Sequence, residues 1–224
     1  MVDYNSEYDR DRLDIVDKSL AKIEDPRTLA VELGSNNGTT TSLLARKFGQ
    51  TVAIDCIPEA IDQARQNVPA PNVEWVLHDL NRPLPVAMRG KFDVAVALEV
   101  VEHLDSPRNF LREVRGCLKP GGRLLLSTPN LASLEGMMGR YRAWKAGTVY
   151  NAWDPTHKSL FNSSRILRLV RDSGFDIQSV TGYYYSAAPF PIFNRFRVPL
   201  KKSFRWPLNR LGFNILIEAR AAER

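Results

Sequence analysis

The 224 residues carry 44% hydrophobic and 25% charged side chains, the balance of a globular protein large enough to bury a core without covalent staples. The formal charge of +6 is local: Arg195, Arg197, Lys201, Lys202, Arg205 and Arg210 supply it, while the other 25 basic residues match the 25 acids. That excludes a generally basic polyanion-binding surface and points to one anionic contact.

No apolar run approaches the ~20 residues that span a bilayer. The charged opening MVDYNSEYDRDRLDIVDK does not read as a signal peptide. Cys56 and Cys117 have neither metal-ligand spacing nor a disulfide pattern. A cytoplasmic setting is expected, with peripheral membrane contact as an option for the basic segment.

In chain order, short apolar strands alternate with helical patterns. Strands are predicted at Leu29–Leu33, Thr51–Asp55, Val73–Leu77, Phe92–Ala97 and Arg123–Ser127. Their Val, Ile and Leu content suits parallel strands covered on both faces. Helices are predicted at Thr39–Phe48, with three threonines as caps, at Pro58–Asn67, and from Asp105-Ser106-Pro107 to about Leu118. Lys119-Pro120-Gly121-Gly122 reads as a firm stop to the last of these. The rhythm predicts an α/β fold with an open, doubly wound, Rossmann-like sheet. It breaks at about Pro129–Leu160, where Met137, Met138, Tyr141, Trp144, Tyr150 and Trp153 follow no clear period. A capped helix at Ser163–Ser173, a strand near Asp176–Thr181 and a last strand at Phe213–Ala219 complete the pattern. The whole chain, 1–224, reads as one domain. Its core is about 29–130 and 163–219, and cap segments are expected at about 131–160 and 183–212.

In open α/β sheets, ligands bind beyond the carboxyl ends of the strands where strand order reverses. Gly34-Ser35-Asn36-Asn37-Gly38 lies at such an end. Glycine permits positive φ and close backbone approach, and Asn36 tolerates the same region. Asp55, ending the second strand, suits both hydroxyls of a ribose. Asp79, just after the third, suits an adenine amino group or a simple turn. An ordinary strand-to-helix connection would explain the glycines alone, so the three strand-end markers carry the nucleoside reading together. Later, Glu99, Glu102 and His103 would share one helical face if Glu99 began a turn. His157, in WDPTHKSLF, is a possible fourth partner, and two carboxylates with two imidazoles suit Mg²⁺ or Mn²⁺. The opposing reading has the acids favouring a helix N-terminus and His103 acting alone as a base or packing structurally.

The successive stretches VELGSNNG, AIDCIPEAIDQAR, LHDL, FDVAVALEVVEHLDSP and LKPGGRLLLSTPN resemble, in order, the motifs of class I S-adenosylmethionine-dependent methyltransferases. A third glycine is usual where Asn36 stands. The resemblance implies seven strands with the last antiparallel. It also implies Gly34 and Gly38 along the methionine part of the cofactor, Asp55 on the ribose, and Asp79 with Leu80 on the adenine. Glu32, Asn36, Cys56 and Leu98 flank these as further cofactor-binding candidates. The E-x-x-E-H stretch is similar to that of ubiquinone-biosynthesis O-methyltransferases and of small-RNA 3′-terminal 2′-O-methyltransferases. By that likeness Glu99, Glu102, His103 and His157 are candidate metal ligands, and His103, His157 and Glu99 are candidate catalytic groups. The expected reaction is O-methylation of a small molecule, glycan or lipid-linked precursor. RNA 2′-O-methylation and an inactive nucleoside-binding relative are the alternatives.

The basic aromatic segment Tyr183–Gly212 admits three roles: a cap over the acceptor, a contact with anionic membrane, or, least favoured, a nucleic-acid groove.

Overall fold

The computed structural model describes residues 7–152, 154–183, 203–204 and 212–223. The strands are β1 (Asp25–Leu33), β2 (Phe48–Asp55), β3 (Val73–Leu77), β4 (Phe92–Leu98), β5 (Leu118–Pro129), β6 (Phe175–Tyr183), β7 (Ser203–Phe204) and β8 (Asn214–Ala221). They form one sheet in the order β3-β2-β1-β4-β5-β8-β6-β7. Pairing from β3 through β5 is parallel, and β8 runs antiparallel between β5 and β6. Seven strands thus follow the expected doubly wound plan with the last antiparallel. The two-residue β7, which falls in the expected late cap segment, adds to the β6 edge. The remainder of that segment, and Trp153, lie outside the described residues.

The side chains of β1 show why the sheet needs helices on both faces. Alternation along a strand sends Val31 and Leu33 to one side and Ala30 to the other. The first side packs with Phe110, Leu111 and Val114 of α4 (Pro107–Cys117) and Ile166, Leu167 and Val170 of α6 (Ser163–Asp172). The second packs with Ile15, Val16 and Leu20 of α1 (Glu7–Leu20) and Leu43 and Leu44 of α2 (Thr39–Lys47). Helix α3 (Pro58–Asn67) opens on its proline, as predicted.

Three local expectations are corrected. The threonines do not cap α2: Gly38, at φ 84°, is its N-cap, and Thr39 bonds Asn37 instead. Lys119-Pro120-Gly121-Gly122 follows the end of α4 at Cys117 as expected, but β5 starts at Leu118 rather than Arg123 and takes these residues in. The pairing there jumps from Phe92–Leu118 to Val94–Arg123, with Gly121 at φ 72°. Within the segment read as irregular, Leu134–Lys145 is a helix, α5, capped by Ser133 Oγ accepting from the Gly136 N–H. Helix α1 lies in the charged opening, where the sequence pattern predicts no element. No helix among the described residues is long and apolar enough to cross a membrane.

Candidate active site

Strand order reverses between β1 and β4, so the loops leaving their carboxyl ends share one crevice. The β1 loop is built from the backbone. The N–H groups of Gly34 and Ser35 both donate to the Ile54 carbonyl at the end of β2, at 2.8 and 2.9 Å. Gly34 has φ 85°, and a Cβ there would come within 2.5 Å of Val100 Cγ2. Only glycine fits between that turn and the segment leaving β4. Asn36 takes φ 44°, the left-handed conformation its side chain tolerates. The Asn36 N–H donates to Asp55 Oδ2 at 2.8 Å, and the Ile57 N–H donates to Asp55 Oδ1 at 3.0 Å. Asp55 therefore ties the glycine loop to β2 while each carboxylate oxygen keeps a further acceptor position.

Glu32 lies buried on the α1–α2 face, where Thr41 Oγ donates to it. Burial pushes its carboxyl up to about 8, opposed by the Thr41 bond and the Arg12 charge and reinforced by Asp55. Asp79 closes a local turn, its Oδ1 accepting from the N–H and side-chain amide of Asn81. The backbone bond is the chief reason its carboxyl sits below the usual range. Asp79 Oδ2 faces the Arg82 guanidinium at 3.9 Å. Leu80 and Leu98 are half-buried against the two cores, and Cys56 is exposed. Partial burial raises the Cys56 thiol, with Asp55 and Asp79 adding repulsion, as expected of acids gathered at adjacent strand ends.

The acid–histidine group forms differently from its helical template. Glu99 leaves β4 at φ 55°, ahead of a 3-10 turn at Val101–His103, so the i, i+3, i+4 face does not form. Its carboxylate turns instead to Ser127 Oγ at 2.5 Å, Asn214 Nδ2 at 2.5 Å and the Tyr183 hydroxyl at 3.3 Å. Glu99 thereby ties the ends of β4, β5, β6 and β8. Burial raises its carboxyl, the Ser127 bond being the main opposing influence.

Glu102, His103 and His157 do converge, each offering a ligand atom within 4.8 Å of the others. Glu102 is fully buried. Its Oε2 accepts from Thr128 Oγ at 3.0 Å, and its Oε1 has no hydrogen-bond partner among the described residues. Burial first, and then the Glu99 charge, hold this carboxyl well above its ordinary range. A cation at the unpartnered oxygen would relieve both costs. The donor set, one carboxylate and two imidazoles, suits a divalent ion.

His157 returns to the rim because its segment is pinned there. The N–H groups of Lys158 and Ser159 both donate to the Glu102 carbonyl at 2.9 Å, and Lys158 Nζ meets Asp105 at 2.8 Å. His157 Nδ1 lies 2.8 Å from the Asn151 carbonyl, and the two imidazole rings are 4.7 Å apart. Burial, then the neighbouring His157, lower the His103 imidazole. Helix α5 and the turn after it line a cavity of about 760 Å³ with Met137, Arg140, Tyr141, Trp144, Val149 and Tyr150. Gly139 makes room for the Tyr150 ring, which a Cβ there would strike at 2.2 Å. Met137, Tyr141, Trp144 and Val149 are exposed.

Arg12, Ser127, Thr128, Tyr183 and Asn214 were not read as site residues from the sequence. They come from four separate elements, and although Ser127 and Thr128 lie in LKPGGRLLLSTPN, nothing local marks them as partners of the acids. Asp-Pro-Thr before His157 did carry a signal, the pattern of an Asx turn.

Residues 4–180 match the family model described as a methyltransferase domain. The ubiquinone biosynthesis O-methyltransferase of Xanthomonas axonopodis pv. citri is 25% identical over 197 residues, covering 87% of this chain and 79% of its own. The mitochondrial protein of that name from Schizosaccharomyces pombe is 24% identical over 187 residues, covering 81% and 62%. Among solved structures, the YcgJ protein of Bacillus subtilis superposes with a TM-score of 0.67 at 17% identity, over 95% of this chain and 98% of that one. The N-methyltransferase NodS of Bradyrhizobium japonicum, in complex with S-adenosyl-L-homocysteine, gives 0.62 at 16% identity over 97% and 89%. The family match over most of the chain places this protein in the methyltransferase-domain family, as an S-adenosylmethionine-dependent methyltransferase.

Proposed function

We propose that the enzyme O-methylates a hydroxyl of a small molecule, glycan or lipid-linked precursor, aided by a divalent ion. The observation that carries this reading is the meeting of Glu102, His103 and His157 within 4.8 Å beside the segment that packs on Gly34. The E-x-x-E-H likeness and the O-methyltransferase activity for which the ubiquinone biosynthesis relatives are named support the choice of oxygen.

The backbone of Gly34, Asn36 and Gly38, with Asp55, Asp79 and Leu80, would hold S-adenosylmethionine, and Glu32, Cys56 and Leu98 would border it. The left-handed backbone at Gly34, Asn36 and Gly38 is the loop conformation that recognition by backbone groups needs. S-adenosylmethionine supplies a sulfonium-activated methyl group when bound, so the protein must align the acceptor oxygen and take up its proton. Glu102, His103 and His157 would hold Mg²⁺ or Mn²⁺, which lowers the pKa of a hydroxyl as a Lewis acid. Two hydroxyls reaching one ion would favour a vicinal diol or catechol. Glu99 supports the rim through β5, β6 and β8. The exposed Met137, Tyr141 and Trp144, with Arg140 beside them, suit an acceptor with an apolar or lipid portion and contact with an anionic membrane.

The test uses labelled S-adenosylmethionine with matched catechol, single-hydroxyl and amine acceptors, before and after chelation. Methylated catechol oxygen, lost in chelator and rescued by Mg²⁺ or Mn²⁺ in the parent protein but not in Glu102→Ala, is expected. Transfer to the amines alone would overturn the oxygen assignment. Full activity in excess chelator would overturn the metal and leave His103 or His157 as the general base.

A further inference from the structure

The turn Asp154-Pro155-Thr156 does more than carry the chain to His157. Asp154 Oδ1 accepts from the Thr156 N–H at 2.8 Å and from the Thr156 hydroxyl at 2.6 Å. Proline at the middle position presets the turn backbone. The Thr156 oxygen also lies 2.9 Å from Nδ1 of His103. A hydroxyl has one proton to give. An ionised carboxylate has none, so the Thr156 proton must go to Asp154. The same oxygen can then meet His103 only as an acceptor, and Nδ1 must carry the ring hydrogen.

We infer that Thr156, oriented by Asp154, is a positioning residue that keeps the His103 proton on Nδ1 and so leaves Nε2 as the ring's lone-pair nitrogen. An isolated neutral histidine side chain favours the opposite tautomer, with hydrogen on Nε2, so the contact reverses a default. His157 has a separate device with the same outcome: its Nδ1 lies 2.8 Å from the Asn151 carbonyl, which can only accept. Two neighbouring rings, fixed by unrelated partners, thus present the same nitrogen. A ring serving as metal ligand or as proton acceptor needs that lone pair, and partners that fix a ligand's tautomer matter in this way. The inference rests on the proposed role of His103 in methyl transfer, but the tautomer can be read without turnover.

The experiment uses the full chain with ¹⁵N-labelled histidine and long-range proton–nitrogen correlation at a pH where the rings are neutral. With three histidines in the sequence, His103→Asn and His157→Asn assign the signals. The parent protein should show His103 protonated on Nδ1. Thr156→Val should move it wholly or partly to Nε2, and Thr156→Ser should restore the parent pattern. Thr156→Val should also lower kcat about tenfold, as the loss of such a partner commonly does, with S-adenosylmethionine affinity unchanged and Thr156→Ser active. An Nε2-protonated His103 in the parent protein would overturn the inference, as would a Thr156→Val spectrum identical to it. A tautomer that moves while kcat stays constant would uphold the positioning and overturn the use of His103 in the proposed reaction.

Discussion

Replacing Glu32 by glutamine tests whether the buried acid of β1 is held as the structure implies. Its carboxyl is raised from 4.5 to about 8, burial being the largest cause. A group whose folded pKa exceeds its unfolded one contributes stability below the unfolded value and loses it as pH rises through the folded one. For Glu32 that window runs from 4.5 to about 8. At 1.36 kcal/mol per unit, the full shift amounts to about 5 kcal/mol, a ceiling that relaxation around the charge will reduce. Urea unfolding of the ligand-free protein at intervals from pH 5 to 8.5 should show the parent losing stability across the window. Glu32→Gln, which keeps an acceptor for Thr41 but cannot ionise, should give a flatter curve by at least 2 kcal/mol, roughly half of that ceiling. Parallel curves for the two proteins would refute the placement of a buried acid with a raised pKa in that wall.

Two further outcomes follow from the same crevice and its rim. Asp55→Ala removes the tie to the Asn36 and Ile57 N–H groups together with the proposed ribose acceptors, each charge-assisted bond being worth ~1.5–3 kcal/mol. S-adenosylmethionine affinity by calorimetry should fall at least tenfold with the far-ultraviolet dichroism unchanged, and unaltered affinity would remove Asp55 from the site. Tyr141→Ser with Trp144→Ser on α5 should leave cofactor affinity intact while weakening attachment to anionic vesicles or turnover of apolar acceptors. The vesicle contact should fade with salt, since exposed charges are screened over ~10 Å at 0.1 M.

Most of the sheet was legible because each strand is a short apolar run ended by a polar or turn residue. Val73–Leu77 and Pro58–Asn67 were read to the residue, the helix from its initial proline. Strands β1 and β2 begin three or four residues earlier than their apolar runs suggest. Their first residues pair at the edge, where sequence gives little signal. Helix α1 was hidden by charge around its buried Ile15, Val16 and Leu20. Helix α5 does carry a helical signal, Met137, Tyr141 and Trp144 at i, i+4 and i+7, but Met138, Tyr150 and Trp153 around them blur the period, and the stripe faces outward instead of into the core.

The site was legible to the extent that its residues sit at strand ends. The conformation of the β1 loop followed from residue type, with Gly34, Asn36 and Gly38 all at positive φ. The acid cluster shows where that logic stops. Spacing alone grouped Glu99 with Glu102 and His103, on the premise that Glu99 is helical. A left-handed Glu99 reverses its direction, and the partners that hold it there, Ser127, Tyr183 and Asn214, come from β5, β6 and β8. No local pattern encodes that choice, because its cost, roughly 1–2 kcal/mol for a non-glycine residue, is offset by bonds between strands distant in sequence. His157 has the same kind of origin. Its position depends on two backbone N–H groups reaching the Glu102 carbonyl, an interaction indifferent to side-chain identity. The tautomer device lies between these extremes: Asp-Pro-Thr announces a turn by residue type, and only its docking against His103 turns that local signal into chemistry.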